Sequence, residues 1–301
     1  MNPDEIIEKL LLTIQNGLKP FNSSLPKLQR EAYKDVNDIL LTLDVGRGGD
    51  VKNSIGNLRK INTITRRLER ALLSDSYQKS ASEFLKTYTQ VDRVSRQYFQ
   101  AIVDDFTAPN VLKAIKEQSV EEVVFNLTGQ GLKTEITNPV RNILKTNITS
   151  KTSLFDLQKE LRELILDTDS GQGILTKNIT GITTDSINQY AASYQSTVSE
   201  DLGIEWFRYT GSLVRESRSF CKALVQKRYF HKSEIPGFMD GKVGKRKVPI
   251  YSKTGLPFGM IRGTNEDNFH IRRGGHRCNH MMIATPEELV PKSIRDSVLK
   301  S

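Results

Sequence analysis

Cysteine, histidine and tryptophan are scarce in this chain. Its 301 residues include two cysteines, four histidines and one tryptophan. Two cysteines are too few for the disulfide framework of a small secreted domain, so we interpret them first as metal ligands or free thiols. Apolar residues are also few, at 37%. This composition favours a helical protein with much exposed surface over a compact α/β enzyme.

Long apolar runs and a basic N-terminus are missing as well. No apolar stretch approaches the roughly 20 residues that a membrane-spanning helix requires. The chain begins Met1-Asn2-Pro3-Asp4-Glu5, which is acidic where a secretory signal would be basic. We therefore expect no membrane partner, and we expect the protein to stay in the cytoplasm where it is made unless something packages it.

Motifs that would identify an enzyme are not found. The chain has no His-Glu-x-x-His pattern, no zinc-deaminase pattern and no carboxylate pair at a fixed spacing. The glycine-rich stretch 46–49 lacks the preceding strand and the Gly-Lys-Ser/Thr ending of a phosphate-binding loop, so we interpret it as a turn. We predict that the protein is not an enzyme. Two catalytic alternatives stay open: a metal held by histidines near Glu266 and Asp267, and a Cys221 thiolate paired with a histidine.

Residues 1–202 carry the apolar spacing of successive amphipathic helices. The clearest stripes cover residues 6–14, 55–72 and 84–102. The third stripe advances in alternating steps of four and three residues, as coiled-coil helices do. It stops near Pro109, because proline cannot continue a helix interior, and this suggests a sub-boundary there.

Shorter helices are predicted between residues 111 and 202. Ser153 is placed to cap the helix that follows it. The glycines between 171 and 181 predict a loop, and a new helix is predicted to begin at Thr184. Gly203 is a natural helix stop.

The sequence changes character at Gly203. Residues 204–210 are aromatic-rich and predict a strand, and glycine and proline are frequent beyond them. We therefore predict a mainly α protein, with an extended helical N-terminal body over 1–202 and a small, loop-rich α+β C-terminal module over 203–285. Residues 286–301 are interpreted as a short tail.

Positive charge is concentrated in this C-terminal module. Between Arg208 and His280, 16 Lys/Arg face 5 Asp/Glu, a balance of +11, whereas the other 28 basic and 30 acidic residues give −2. A field of one sign attracts polyanions, so we predict DNA binding, with a solubilising surface as the alternative. No base-reading motif is evident, so binding should be independent of sequence. The candidate DNA-binding residues, interleaved with Tyr251, Phe258 and Phe269, are Lys242, Lys245, Arg246, Lys247, Lys253, Arg262, Arg272 and Arg273.

The same module contains both cysteines and all four histidines. The candidate zinc ligands form a Cys2His2 set and are Cys221, Cys278, His280 and His276, with His270 or His231 as alternatives for the last. These residue types suit structural zinc, and a loop-rich module with little apolar sequence needs a fixed anchor. Free buried thiols and a disulfide between the two cysteines stay open as alternatives.

Three segments of this module carry a resemblance to a known family. They are Glu216-Ser217-Arg218-Ser219-Phe220-Cys221, Tyr229-Phe230 followed by Ser233-Glu234-Ile235, and Arg273-Gly274-Gly275-His276-Arg277-Cys278-Asn279-His280. In this order they resemble the E/D-T-R-P-F-C, Y/F-F-x-x-x-E-I and GG-x-N-C-R-H segments of phage Mu F-like minor head proteins. Ser219 departs from the usual proline, Lys227-Arg228 stands before the second segment where Gly-Lys is common, and Arg277 and Asn279 exchange the usual Asn and Arg.

The resemblance covers roughly residues 110–285 and implies a structural protein of a bacteriophage capsid that acts in head morphogenesis. It implies the portal or the major capsid protein and packaged phage DNA as partners. It also implies a location in the virion head after assembly in the host cytoplasm. Two rivals from other classes stay open: a metal-dependent DNA-processing enzyme, and a non-specific DNA-binding accessory protein outside the virion.

Overall fold

The first two thirds of the chain are helical. A computed structural model describes residues 2–299 and confirms a mainly α protein with a small α+β part near the C-terminus. The helices of the first 201 residues are α1 (Pro3–Leu40), α2 (Ile55–Leu72), α3 (Asp75–Ile102), α4 (Val111–Leu127), α5 (Gly129–Leu132), α6 (Asn138–Ser150), α7 (Leu154–Ile165) and α8 (Ile174–Asp201). A π-helical turn at Lys133–Thr137 joins α5 to α6.

Two predicted helix ends are confirmed. The Ser153 side chain caps α7 and accepts a hydrogen bond from the backbone N–H of Asp156 at 3.1 Å. Gly203 follows α8 with φ +64°, a left-handed conformation that glycine adopts without steric cost.

The predicted start of the last long helix is wrong. The glycines through 181 suggested a loop, but α8 already begins at Ile174 and runs through Gly181 without a break. Ile179 and Thr183 on either side are buried, and the Thr183 hydroxyl donates to the Ile179 carbonyl at 2.8 Å. Burial of this helix outweighs the roughly 1 kcal/mol by which glycine disfavours a helix interior.

The remaining elements are short. They are β1 (Trp206–Thr210), α9 (Ser219–Lys227), β2 (Tyr229–His231), α10 (Ile235–Met239), β3 (Lys242–Val243), β4 (Arg246–Lys247), β5 (Ile250–Tyr251), β6 (Leu256–Pro257), α11 (Phe269–Arg272), β7 (Met281–Ala284) and α12 (Lys292–Leu299). β1, which was predicted from its aromatic residues, is the middle strand of an antiparallel sheet with the order β2-β1-β7.

Helices hold this sheet at its β7 strand. Phe207 of β1 is paired with Phe230 of β2 on one side and with Ala284 of β7 on the other. The Tyr98 hydroxyl of α3 donates to the Ala284 carbonyl at 2.7 Å. The Ala284 N–H donates to the side-chain oxygen of Gln195 in α8 at 3.2 Å. The sheet therefore forms one body with segments far away in the sequence.

The chain forms two compact units. Unit 1 contains the described residues of 1–16, 87–120 and 184–301, and unit 2 contains residues 17–86 and 121–183. This division differs from the predicted boundary near 202. Within unit 1, the hydrogen bonds of Ala284 with Tyr98 and Gln195 connect β7 to α3 and α8. Strand β7 therefore belongs to the same unit as parts of those helices.

Unit 2 has a core of aromatic and aliphatic side chains. The Phe21 ring lies 5.5 Å from Tyr77 and 6.0 Å from Phe84. The Tyr77 hydroxyl donates to the Leu127 carbonyl at 2.8 Å, so the buried phenol keeps a polar partner. The glycine-rich stretch 46–49 forms a turn between the bridged residues on either side of it.

The predicted tail is partly structured. It contains α12, and Val290 just before that helix is buried. No helix within residues 2–299 has both the length and the apolar character that crossing a membrane requires.

Candidate metal centre and basic hairpins

Cys221 lies in the first turn of α9, where it is buried. Its neighbours Phe220 and Leu224 are buried too. The Tyr209 hydroxyl of β1 donates to the Cys221 sulfur at 3.5 Å. The first cysteine is thus fixed by apolar packing on α9 and by one hydrogen bond from the sheet.

Cys278 and His280 lie just before β7 and meet Cys221. The sulfur of Cys278 is 3.8 Å from the sulfur of Cys221 and 3.6 Å from His280 Nδ1. All three ligand atoms lie within 4.8 Å of one another. Two thiols and an imidazole at these separations could hold a metal ion. Within residues 2–299 this is the one group in which three such ligands converge.

The two thiols differ in acidity. A hydrogen bond from Cys221 lowers the pKa of Cys278, although burial opposes this, and the His280 hydrogen bond and the Arg273 charge lower it further. The same contact with Cys278, together with burial, raises the pKa of Cys221. Cys278 therefore ionises first and supplies the thiolate that a metal ion requires.

Arg273 must be removed from the predicted DNA-binding set, because it is only 3% exposed. Its guanidinium donates to the carbonyls of His270 and His280, the latter at 3.2 Å. It also lies 5.4 Å from the centre of the Tyr209 ring, and that ring stacks on His280 at 5.6 Å. Arg273 and Tyr209 together fix the position of His280.

Arg218 holds the segment that carries Cys278. Its guanidinium donates to the Gly274 carbonyl at 2.7 Å and also to the His276 carbonyl. Sequence patterns do not predict these roles of Arg218 and Tyr209. Arg218 belongs to one of the resembling segments, but its two acceptors come more than 50 residues later, and no local pattern links them.

The two glycines of this segment are required by close packing. A methyl group on Gly274 would lie 2.1 Å from the Cys278 sulfur. One on Gly275 would lie 1.5 Å from the Gly259 carbonyl oxygen, and Gly275 also has φ +74°. Only glycine lets the chain pass this close to the thiol.

His276, predicted as the fourth metal ligand, does not join the group. Its side chain is 76% exposed, and its Nδ1 lies 3.3 Å from a carboxylate oxygen of Asp185. The backbone N–H of Arg277 donates to the same carboxylate. Asp185 therefore holds this turn of the chain, and the His276 ring stays outside the cluster.

The two alternative histidines lie elsewhere. His270 packs against Phe207 with ring centres 4.7 Å apart. Burial, reinforced by the charges of Arg273 and Lys232, lowers the pKa of His270 to about 4, so the ring is neutral at pH 7. His231 lies in β2 with its Nε2 3.4 Å from Glu205.

Near Glu266 and Asp267, the described residues do not form the group of metal ligands that the catalytic metal alternative requires. His270 lines a cavity of about 380 Å³ together with Glu266 and Asp267. Their ligand atoms do not converge as those of the cysteine cluster do. In the described part of the chain, no other group of three or more Cys, His, Asp or Glu residues converges in this way.

Two consecutive β-hairpins carry most of the predicted DNA-binding residues. β3 pairs with β4, and β5 pairs with β6. The predicted basic side chains on these hairpins, on the loop that follows and at the end of α11 are all exposed: Lys242, Lys245, Arg246, Lys247, Lys253, Arg262 and Arg272. Lys242 lies 3.5 Å from the carboxylate of Asp240. We call this set, from Lys242 to Arg272, the basic hairpin surface.

Two aromatic rings are exposed on the second hairpin. Tyr251 is 41% and Phe258 is 52% exposed, and their ring centres are 6.1 Å apart. Phe269, the third aromatic residue of the predicted surface, is buried and packs against Phe220 instead.

Comparison of the chain with protein-family models, with curated proteins and with solved structures found no match.

Proposed function

We propose that this chain is a structural minor head protein of a bacteriophage, docked on the portal or the major capsid protein. The basic hairpin surface would contact packaged DNA without reading its sequence. The three segments that resemble phage Mu F-like proteins support this proposal. They span residues 216–280 but meet around β1. β2, which carries Tyr229 and Phe230, pairs with β1, and Cys221 meets Cys278.

The metal in this proposal is structural zinc. A tetrahedral zinc ion binds sulfur at about 2.3 Å and imidazole nitrogen at about 2.05 Å. Elementary geometry then places two ligand sulfurs about 3.8 Å apart and a sulfur and a nitrogen about 3.6 Å apart. The separations of Cys278 from Cys221 and from His280 Nδ1 are 3.8 and 3.6 Å. Zinc would tie α9 to the segment before β7 in a region of short elements and loops.

The observation that carries the DNA proposal is the exposure of seven cations in one short stretch. Among the described residues, only Lys242 of these seven has a carboxylate partner. Cations without protein partners can neutralise DNA phosphates, and the released counterions drive binding. The exposed rings of Tyr251 and Phe258 add surfaces on which unpaired bases can stack.

DNA binding by the full chain tests this proposal. We would compare the triple variant Lys245→Gln, Arg246→Gln and Lys247→Gln with a control, Arg66→Gln, Arg67→Gln and Arg70→Gln, which removes the same charge from exposed positions of α2. The hairpin variant should bind duplexes of any sequence about tenfold or more weakly and should show a shallower salt dependence, by up to about 3 in the log–log slope. The control should bind almost as the wild type does.

Other outcomes would contradict the assignment. An equal loss in both variants would show that net charge, and not the hairpin surface, drives binding. A strong preference for one sequence would also oppose it. DNA cleavage on addition of a divalent metal ion would favour the DNA-processing enzyme.

The structural role has a separate test. Mass spectrometry of purified, DNase-treated phage particles should detect the chain together with the portal protein. Its absence from such particles, with DNA binding intact, would identify a DNA-binding accessory protein instead.

A further inference from the structure

The metal centre has three protein ligands, and residues 2–299 offer no fourth. Both cysteines and all four histidines of the sequence lie in the described residues. His276 lies on Asp185, and the other two histidines are in separate places. No Asp or Glu of residues 2–299 joins the cluster either. Because zinc in such sites takes four ligands, the fourth position is left to a group from outside the protein chain.

A small cavity adjoins two of the three ligands. It measures about 20 Å³ and is lined by Cys278, His280, Arg273 and residues of α8. This is enough room for one water molecule and too little for a larger ligand. The size of the cavity therefore limits what can reach the metal from this side.

Arg273, which lines this cavity, has one hydrogen-bond donor without a partner among the described residues. The side chain is 3% exposed, and two of its nitrogens donate to backbone carbonyls. Its Nε is buried and has no hydrogen-bond partner among the described residues. A buried cationic N–H without an acceptor is costly. A fourth metal ligand that can also accept a hydrogen bond would therefore be favoured beside Arg273.

We propose that the fourth ligand of the metal is a single water molecule or hydroxide ion, seated in this cavity beside Arg273. The proposal rests on the zinc site proposed above. The ligand set is then two thiolates, one imidazole and one solvent oxygen. Catalytic zinc sites also keep an open position, but their substrates must reach it. Here the cavity is too small for a phosphodiester, so the water molecule belongs to a structural centre.

Zinc K-edge X-ray absorption on the full-length, zinc-loaded protein tests this ligand set. We expect two sulfurs at about 2.3 Å, the outer-shell scattering of one imidazole ring, and one light atom without ring scattering. The matched variant His276→Ala should give the same spectrum, because His276 contacts Asp185 and not the metal.

The opposing outcomes are distinct. A second imidazole contribution that disappears in His276→Ala would show a closed Cys2His2 site and overturn the inference. Three or more sulfurs would show zinc shared between two chains and would overturn it as well. A protein that binds no stoichiometric zinc would overturn the zinc proposal itself, whereas the DNA-binding measurements judge the basic hairpin surface independently.

Discussion

Unit 2 and the segment 203–285 both have apolar cores, but only the latter also contains a cluster of candidate metal ligands among the described residues. Unit 2 packs many apolar side chains, such as Phe21 against Tyr77 and Phe84, and each contributes a modest share. The segment 203–285 also buries aromatic side chains, such as Phe238 against Phe230 and Phe269. In addition it brings together the ligand atoms of Cys221, Cys278 and His280. Distributed packing tolerates single changes, since neighbouring side chains can adjust. A metal ligand cannot be replaced by a neighbouring side chain. Single changes of these three ligands should therefore destabilise the segment more than single changes in either apolar core.

The strongest way to break the metal centre is to remove one of its ligands. Cys278→Ser should lower zinc affinity at least about a hundredfold, because the hydroxyl does not form the thiolate that zinc binds. Hydrogen exchange should then show loss of protection in β1, β2 and β7, with the amides of unit 2 unchanged. A chelator should have the same effect on the wild type.

The control for this experiment lies in the distributed core of unit 2. Ile64→Val on α2, at a fully buried position, should cost about 1 kcal/mol whether or not zinc is present. If a chelator leaves the protection of all three strands unchanged, the thiols serve as packing residues and the contrast between the two regions disappears.

A methyl group added beside the thiol should have the next largest effect. Gly274→Ala places an atom 2.1 Å from the Cys278 sulfur and must displace that ligand. Overpacking of this kind costs about 1–3 kcal/mol, which corresponds to a loss of up to about a hundredfold in zinc affinity measured by competition with a chelating dye. Gly237→Ala in α10 is the matched change, since its methyl would meet only a carbonyl at 3.7 Å. Equal zinc affinities in Gly274→Ala and Gly237→Ala would argue against the close packing of Gly274 on the Cys278 sulfur.

The smallest effect is expected when a positioning residue is shortened. Arg218→Lys keeps the charge, but one ammonium cannot reproduce the geometry of a guanidinium that donates to two carbonyls. Zinc affinity should fall about tenfold, as for other residues that orient metal ligands. Arg215→Lys, three residues earlier and exposed, should leave it unchanged. A similar loss in both variants would show that Arg218 acts through charge alone.

The sequence predicted features that depend on local spacing. The apolar stripes indicated the helices, Ser153 and Gly203 marked two of their ends, and the aromatic-rich segment 204–210 indicated β1. Cys221, Cys278 and His280 were recognised by residue type. Each of these signals lies within a few residues of the feature that it specifies.

Features that depend on distant contacts were missed. His276 has the residue type of a metal ligand but is held by Asp185, more than 90 residues earlier. Arg273 has the charge of a DNA-binding residue but is buried by Tyr209 and by backbone carbonyls. Ala284 of β7 accepts a hydrogen bond from Tyr98 and donates one to Gln195, both far away in the sequence. A one-dimensional pattern does not show which of several chemically suitable partners a side chain will meet.

The order of the sheet, β2-β1-β7, has a consequence for how the chain is made. Synthesis delivers the N-terminal part first, so the residues of unit 2, complete at 183, can fold while the rest is still on the ribosome. β1 cannot pair with β7 until the residues of β7 have been synthesised. Likewise, Cys221 is synthesised 57 positions before Cys278. Long-range pairings of this kind form slowly. During that interval the thiol of Cys221 has no partner thiol, and the nascent chain passes through a stage in which metal supply and oxidants compete for it.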